Sequence, residues 1–264
     1  MDSIRLESVS KIFRHRPALF NWLGREKRGE TRALDKISLH VPASSVLALL
    51  GPNGSGKTTL LKLISTLLLP DDGRVLVGGE DTRTAAPAIR RRVAFAITAE
   101  RSFFPRLSAR ENLNFFAALD DVPRQRRPER IRALLHETGL SDHADTLVNK
   151  FSSGMYQRLG IARALMKQPS VILLDEPTRS LDPASAEELW RLVHGLRDRG
   201  ATVVVATHNF EEAAAVGDFL AVLQEGRLAD QRNLARAGTR ALRSWYFDVT
   251  GKLNALPMAA GGWQ

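Results

Sequence analysis

The sequence predicts an α/β fold in which short buried strands alternate with helices. Strand-like apolar runs occur at residues 45–50, 171–174 and 202–207. They are too short for typical helices and lack polar alternation, which is characteristic of parallel strands buried on both faces. The segments that follow two of these runs, 60–68 and 183–198, are predicted helices.

A glycine-rich loop joins the first run to its helix. It consists of Gly51, Pro52, Asn53, Gly54, Ser55, Gly56, Lys57, Thr58 and Thr59. Glycines let backbone N–H groups curve around phosphate oxygens, and the next helix presents its positive end to the same charge. The order of strand, glycine loop, lysine and threonine predicts a P-loop, with Lys57 on the outer phosphates and Thr58 on Mg²⁺. A plain glycine turn would leave Lys57 and Thr58 unexplained.

Two acidic residues follow the run at 171–174. Asp175 and Glu176 therefore lie at the carboxyl end of a predicted parallel strand, where ligands collect in open α/β sheets. We expect Asp175 to hold Mg²⁺, directly or through water, and Glu176 to orient and deprotonate the attacking water. A solvated acidic turn is the alternative for this pair, and the P-loop argues against it.

A loop of small residues, Ser152, Ser153 and Gly154, opens another predicted helix shortly before Asp175. Serine is a favoured N-cap, and the apolar residues at 159–166 recur at helical spacing. With these motifs in this order, the chain resembles the ATP-binding cassette family, the nucleotide-binding subunits of ABC transporters. The resemblance runs from about residue 3 to about residue 230 and is most similar to the polysaccharide and drug exporter branch.

The resemblance implies that the loop at 152–154 is the family's signature loop. In that family the signature loop of one subunit caps the γ-phosphate held by the other, which implies a head-to-tail homodimer with two ATP molecules between the subunits. This chain departs from the family pattern at two positions: Ser153 replaces the usual second glycine, and Met155 replaces the usual glutamine.

Three further positions match the family. Asp182 resembles the loop that communicates across the dimer, and it is also a predicted N-cap before Pro183. His208 resembles the switch histidine, which contacts the γ-phosphate and helps hold Glu176; a structural histidine at a strand end is the alternative. Phe13 resembles the aromatic residue that stacks on adenine, with an ordinary buried strand aromatic as the alternative.

One family position differs more strongly. Members carry a glutamine that contacts Mg²⁺ after the strand predicted here at 92–97, whereas this chain has Ala99 or Glu100 there, depending on register. Only Glu100 has an oxygen suited to a hard cation. We therefore expect Glu100 to join Thr58 and Asp175 as a metal ligand, and we interpret the change as a branch variant.

The resemblance implies an α/β P-loop NTPase core with a parallel sheet, an N-terminal antiparallel β subdomain and a helical subdomain that carries the signature motif. The expected cassette spans residues 1–231, with the helical subdomain at about 101–167, and residues 232–264 are expected to form a C-terminal tail. A basic insertion at 14–32 surrounds an aromatic and apolar centre. It suits a membrane interface or the cytosolic face of a partner, or it is a solvated loop.

Within the helical subdomain, a helix is predicted to begin at a capping box formed by Ser108 and Glu111. We expect the helix that follows to direct four residues inward: Leu113, Phe115, Phe116 and Leu119. A second helix is predicted to start near Pro128. The segment 103–106 is a candidate surface for coupling to membrane subunits, and burial in the core is the alternative.

Composition limits the choice of partners. The formal charge of +9 admits nucleic acid or an anionic membrane surface. Tandem cassettes or a long coiled-coil insertion would mark a soluble ATPase that remodels a protein or nucleic-acid assembly; the sequence has neither, which disfavours nucleic acid. The chain has no cysteine, and none of its apolar runs approaches 18 residues.

Together with these patterns, the resemblance to the ATP-binding cassette family implies a peripheral protein on the cytoplasmic side of the membrane. We expect it to hydrolyse Mg-ATP and to drive export through separate transmembrane permease subunits. A soluble remodelling ATPase and a non-hydrolysing regulatory cassette are the alternatives. Because Glu176 and His208 are both present, the sequence argues against the regulatory alternative.

Overall fold

The computed structural model describes residues 2–14, 30–96, 103–179, 181–234 and 238–251. The strands are β1 (Asp2–Arg14), β2 (Glu30–Pro42), β3 (Val46–Leu50), β4 (Asp72–Val77), β5 (Glu80–Asp81), β6 (Val93–Ala96), β7 (Val171–Asp175), β8 (Thr202–Thr207), β9 (Phe219–Gln224) and β10 (Arg227–Asn233). The α-helices are α1 (Lys57–Ile64), α2 (Ala86–Arg92), α3 (Ala109–Leu119), α4 (Arg127–Glu137), α5 (Ser153–Ala164), α6 (Pro183–Asp198), α7 (Phe210–Val216) and α8 (Thr239–Thr250).

A six-stranded sheet forms the centre of the molecule, with strand order β10-β9-β3-β8-β7-β6. All neighbours from β9 to β6 are parallel, and only β10 is antiparallel. Its strands contribute alternate residues to opposite faces, so that Val204 and Val205 of β8 enter different core clusters. This confirms the predicted α/β fold and explains why the strands read as continuous apolar runs.

A second, four-stranded antiparallel sheet has the order β2-β1-β4-β5 and confirms the predicted N-terminal β subdomain. Its apolar face packs with α1 and one face of the central sheet in a shared core. The ladder between β1 and β2 continues to the pair Arg14 and Glu30. Residues 15–29, which make up most of the predicted basic insertion, lie outside the described residues.

The helical subdomain contains α3, α4 and α5. Ser108 and Glu111 form the predicted capping box at the start of α3. Leu113 and Phe116 are buried as predicted, but the expectation was wrong for Phe115 and Leu119, whose exposed fractions are 40% and 65%. They lie on the outer face of α3, because only one stripe of a surface helix can face the core.

In the candidate coupling segment 103–106, Phe103 lies in the core and Phe104 lies at the surface. Phe103 is buried and makes an edge contact with Phe116, with 5.8 Å between ring centroids. Phe104 is 44% exposed and contacts Phe115, with 4.7 Å between centroids. The expectation of an exposed Phe103 therefore needs correcting, whereas Phe104 is an exposed aromatic residue.

The helix predicted at 60–68 is shorter than expected. α1 ends at Ile64, and Thr66 has a left-handed backbone conformation with φ of 61°. Leu67 and Leu69 beyond it are exposed. Among the helices that the structure describes, none combines the length and apolar character that a bilayer crossing requires.

The segment expected to be a C-terminal tail needs correcting where the structure describes it. β10 continues to Asn233, and α8 packs Leu242 and Tyr246 into a core cluster with β3, β9 and α7. The Tyr246 ring meets Phe210 of α7 edge-on at 5.1 Å. Amphipathic packing of this kind stabilises a helix whose exposed face is polar.

If α8 is part of the folded cassette, Leu242→Ala should lower the free energy of unfolding by about 2–5 kcal/mol, since it leaves a cavity in that cluster. Ser244→Ala on the exposed face of α8 is the matched control and should change the free energy by less than about 0.5 kcal/mol. Urea unfolding of the three proteins would measure both effects. Equal midpoints for all three would show that α8 contributes nothing to stability.

Candidate functional site

Three adjacent parallel strands end at the site. Leu50 of β3 lies opposite Thr207 of β8, and Asp175 of β7 lies opposite Ala206. The chain leaves β3 into the P-loop, β7 toward Glu176 and β8 toward His208. The parallel register therefore brings together three motifs that are far apart in sequence.

Lys57 lies at the centre of this arrangement and is only 6% exposed. Its Nζ donates to the carbonyl oxygens of Gly51 at 2.7 Å and Pro52 at 3.2 Å, and it lies 3.5 Å from Glu176 Oε1. Burial lowers the pKa of Lys57, and the Glu176 carboxylate opposes that change. The lysine is thus held in the P-loop by oxygens alone, the kind of ligand that a phosphate also offers.

Thr58 and Asp175 form the candidate metal position. Thr58 Oγ1 donates to Asp175 Oδ2 at 2.7 Å, so a hydroxyl and a carboxylate point at the same space. Burial raises the pKa of Asp175, the hydrogen bond from Thr58 lowers it, and nearby Glu176 adds to the rise. One or two carboxylate or hydroxyl oxygens, completed by phosphate and water, are what Mg²⁺ typically takes in nucleotide sites, so this donor set fits.

Glu176 and His208 form a close pair. His208 Nδ1 lies 2.7 Å from Glu176 Oε2. Since a carboxylate can only accept, Nδ1 carries the proton in this contact and Nε2 faces away from it. Glu176 has a φ of 49°, and its N–H donates to Ala206 O at 2.8 Å. This left-handed conformation, which costs about 1–2 kcal/mol in a non-glycine residue, is consistent with a functional position.

The P-loop is braced by the turn between β9 and β10. Gly226 N donates to Ser55 O at 3.0 Å, and Gly226 O accepts from Asp35 N at 2.8 Å. Gly226 has a φ of 76°, and a Cβ there would lie 2.8 Å from Ala33 O. The position therefore requires glycine, and through it the P-loop is tied to β2.

The signature loop and Asp182 are both helix caps. Ser152 Oγ accepts from Met155 N at the start of α5, and Asp182 accepts from Ser185 N at the start of α6. Both caps were predicted. A cleft lies in front of the chain's own P-loop. Among Ser152, Ser153, Gly154 and Asp182, only Ser153 lines this cleft. The structure does not bring Ser152, Gly154 and Asp182 to that cleft.

The remaining predicted site residues are Phe13 and Glu100. Phe13 is partly buried and is not among the residues that line the cleft, although its cross-strand partner Thr31 is. Lys11 Nζ lies 5.8 Å from its ring centroid. Glu100 lies outside the described residues, so its metal role stays a prediction.

Sequence reasoning missed several residues at the site. The lining of the cleft also includes Thr31, Arg32 and Ala33 of β2 and Glu225 and Gly226 of the β9–β10 turn. These residues belong to no recognisable sequence motif, so sequence patterns offered no reason to place them at the site. Glu212 was missed as well: burial raises its pKa, and the polar side chains of Thr207, Thr178 and Trp190 oppose the rise. A glutamate beside Ala213 on the buried side of α7 was the available signal.

Comparison with known proteins places this geometry in a family. The ABC transporter family model matches residues 34–179. The chain is 38% identical over 223 residues to the daunorubicin resistance ATP-binding protein DrrA3 of Streptomyces coeruleorubidus, covering 82% of this chain and 70% of that protein. It is 37% identical over 225 residues to the cobalt import ATP-binding protein CbiO of Rhodobacter capsulatus, covering 80% of each.

A solved structure agrees with these matches. The dimeric ATP-binding cassette MJ0796, described as a post-hydrolysis state bound to ADP and Pi, superposes with a TM-score of 0.76 at 29% identity. The match covers 88% of this chain and 98% of that one. The chain spans only 60% and 63% of two further daunorubicin resistance ATP-binding proteins.

The chain belongs to the ABC transporter family. Its fold and P-loop are those of the ATP-binding cassette, the part of these transporters that binds and hydrolyses ATP. The resemblance inferred from the ordered motifs is thereby confirmed.

The brace at Gly226 predicts a specific effect on nucleotide binding. Gly226→Ala should weaken Mg-ATP affinity about tenfold, equivalent to about 1.4 kcal/mol, because the methyl group would displace the turn from Ser55. Gly79→Ala is the matched control: its φ is 82°, but a Cβ there meets nothing within 4 Å. It should share the left-handed strain and leave affinity unchanged. A fluorescent ATP analogue would measure both, and equal affinities would remove the turn from the nucleotide site.

Proposed function

We propose that the chain is the ATP-hydrolysing subunit of an ABC exporter and that it works as a head-to-tail homodimer. The observation that carries the proposal is the convergence of Lys57, Glu176 and His208 at the ends of three parallel strands. A plain nucleotide-binding site would not need a carboxylate held between a lysine and a histidine. This pairing also argues against the non-hydrolysing alternative.

The phosphates are expected to take over the contacts that now hold Lys57. Its Nζ exchanges the Gly51 and Pro52 carbonyls for phosphate oxygens, and the amides of the P-loop and the first turn of α1 add further donors. Thr58 and Asp175 would hold Mg²⁺, which would neutralise part of the phosphate charge. Glu100 is proposed as a further oxygen ligand for the same ion.

Glu176 is proposed to accept the proton of the attacking water. The Lys57 ammonium 3.5 Å away and the His208 imidazole hold its carboxylate in place. General-base assistance of this kind contributes about 10²–10⁴-fold to the rate. His208 Nδ1 already contacts Glu176, which leaves Nε2 as the ring nitrogen available to face a γ-phosphate oxygen.

The second half of each site is proposed to come from the partner subunit. Ser152, Ser153 and Gly154 at the start of α5 offer hydroxyl and N–H groups suited to an anion, and Ser152 and Ser153 are exposed. Since Ser152 and Gly154 do not line the cleft of their own chain, a second copy is the natural source of these groups. The dimeric state of the MJ0796 cassette supports this arrangement.

The proposed direction of transport and membrane partners are supported by some of the relatives, whereas CbiO is an import protein. The daunorubicin resistance ATP-binding proteins support export, coupled to separate transmembrane permease subunits at the cytoplasmic face of the membrane. The exposed Phe104 and Phe115 are our candidate contact with those subunits. The basic insertion at 14–32 is proposed to meet an anionic membrane surface or the same partners.

Glu176→Gln tests the hydrolytic role. It should retain ATP binding and lower steady-state turnover at least about 100-fold, because the amide keeps the shape of the side chain but cannot accept the proton. ATP should then trap a closed dimer, detectable by light scattering. Glu211→Gln, at an exposed position on α7, is the control and should turn over like the parent. Parental turnover by Glu176→Gln would contradict the role.

Transport itself can be tested in inside-out vesicles from cells that express the chain with a candidate permease. With daunorubicin as the probe, an exporter should give ATP-dependent accumulation inside the vesicles, and Glu176→Gln should abolish it. Accumulation that needs no ATP, or movement only out of the vesicles, would contradict export by this pair. ATPase activity of the isolated chain would still stand in that case.

A further inference from the structure

The signature-loop helix and the Asp182 loop are joined by a polar chain centred on Arg158. Arg158 lies on α5 and donates from its guanidinium to Ser185 Oγ at 2.8 Å. The same nitrogen lies 2.8 Å from Glu188 Oε2. Ser185 and Glu188 are three residues apart on α6 and therefore share one face of that helix.

The chain continues from Ser185 to Asp182. Ser185 Oγ donates to Asp182 Oδ2 at 2.7 Å, and Ser185 N donates to Oδ1 at 3.0 Å. The backbone N–H of Ser185 and then its hydroxyl lower the pKa of Asp182, because both stabilise the carboxylate. The hydroxyl thus accepts from a cation and donates to an anion, an arrangement in which each hydrogen bond polarises the next.

A second contact links the same two loops. A Cβ built on Gly154 of the signature loop would lie 3.1 Å from Leu181 Cδ2, so the bare Gly154 backbone already packs against the residue before Asp182. Gly139 supports the arrangement from the side of α4, because a Cβ there would lie 2.8 Å from the Arg158 guanidinium. The guanidinium is therefore confined between α4, α5 and α6.

We infer that Arg158 is a positioning residue that holds the signature loop and the Asp182 loop as one unit facing the partner's nucleotide. The inference rests on the proposed function, in which these loops complete the site of the other subunit. Arg158 is not among the residues that line the P-loop cleft. Its rigid planar guanidinium places one nitrogen between Ser185 and Glu188, whereas the ammonium of a lysine lies on a flexible stem without that fixed geometry.

The link has a specific consequence for binding. If the signature loop and the Asp182 loop moved independently, both would have to become ordered when the dimer closes. The entropy lost in ordering each loop would weaken dimerisation. With the loops joined, ordering one also orders the other. Loss of the link should therefore weaken closure of the dimer and leave the affinity of the single chain for ATP unchanged.

Arg158→Met in the Glu176→Gln background tests this inference. The ATP concentration for half-maximal dimerisation, followed by light scattering, should rise about tenfold, within the range of coupling energies that networked residues show. Binding of a fluorescent ATP analogue at protein concentrations too low for dimers should be unchanged. Arg158→Lys should give a half-maximal ATP concentration between those of Arg158→Met and of the Glu176→Gln background, since it keeps the charge but not the rigid guanidinium geometry.

Arg110→Met is the matched control. It breaks an arginine–carboxylate pair of the same 2.8 Å length in the same helical subdomain, with Asp145 and without any link to Asp182. It should dimerise like Glu176→Gln alone. Ser185→Ala should reproduce the Arg158→Met defect, and combining the two should add little, because they interrupt the same chain.

The possible outcomes distinguish failure of the proposed function from failure of the Arg158 inference. Absence of ATP-dependent dimers with Glu176→Gln alone would overturn the proposed function together with this inference. Normal dimerisation by Arg158→Met, or additive effects of Arg158→Met and Ser185→Ala, would overturn only the inference. A loss of monomer nucleotide binding equal to the loss of dimerisation would also overturn it, because it would assign Arg158 a general structural role.

Discussion

The parallel pairing of β3 with β8 and of β8 with β7 is the constraint on which the site depends. Each strand is buried on both faces, so its register is pinned by packing as well as by its ladder of hydrogen bonds. A slip by one residue would turn apolar residues toward the wrong core cluster and would carry Asp175 away from Thr58. The chemistry at the strand ends is thus held by residues that take no part in it.

The charges at the site depend on one another. Lys57 is buried, which is costly for a cation unless it is paired, and the Glu176 carboxylate and the loop carbonyls supply that pairing. Glu176 is in turn held by His208. Lys57 and His208 both contact the Glu176 carboxylate, so we expect removal of any one of the three side chains to disturb the other two.

The sequence was most informative where a local rule and the tertiary structure agree. β8 and α6 have their predicted bounds, because β8 is a continuous β-branched run and α6 begins at Asp182 and Pro183. α8 was missed because its exposed face is polar and its partners lie far away along the chain. Phe115 was placed inward because apolar character alone does not tell which stripe of a helix is covered. Gly226 and Arg158 act through contacts with distant elements, and single-sequence patterns do not show these.

The antiparallel strand β10 forms one edge of the central sheet and is far more exposed than the central strands β3 and β8. All its positions are exposed or partly covered, and it carries Arg227, Asp230 and Arg232, with the Arg232 guanidinium stacked 3.8 Å from the centre of the Trp245 ring. Edge strands with free backbone groups invite pairing with other chains, and charged side chains discourage it. The charged side chains of β10 therefore disfavour pairing with another chain at this edge of the central sheet.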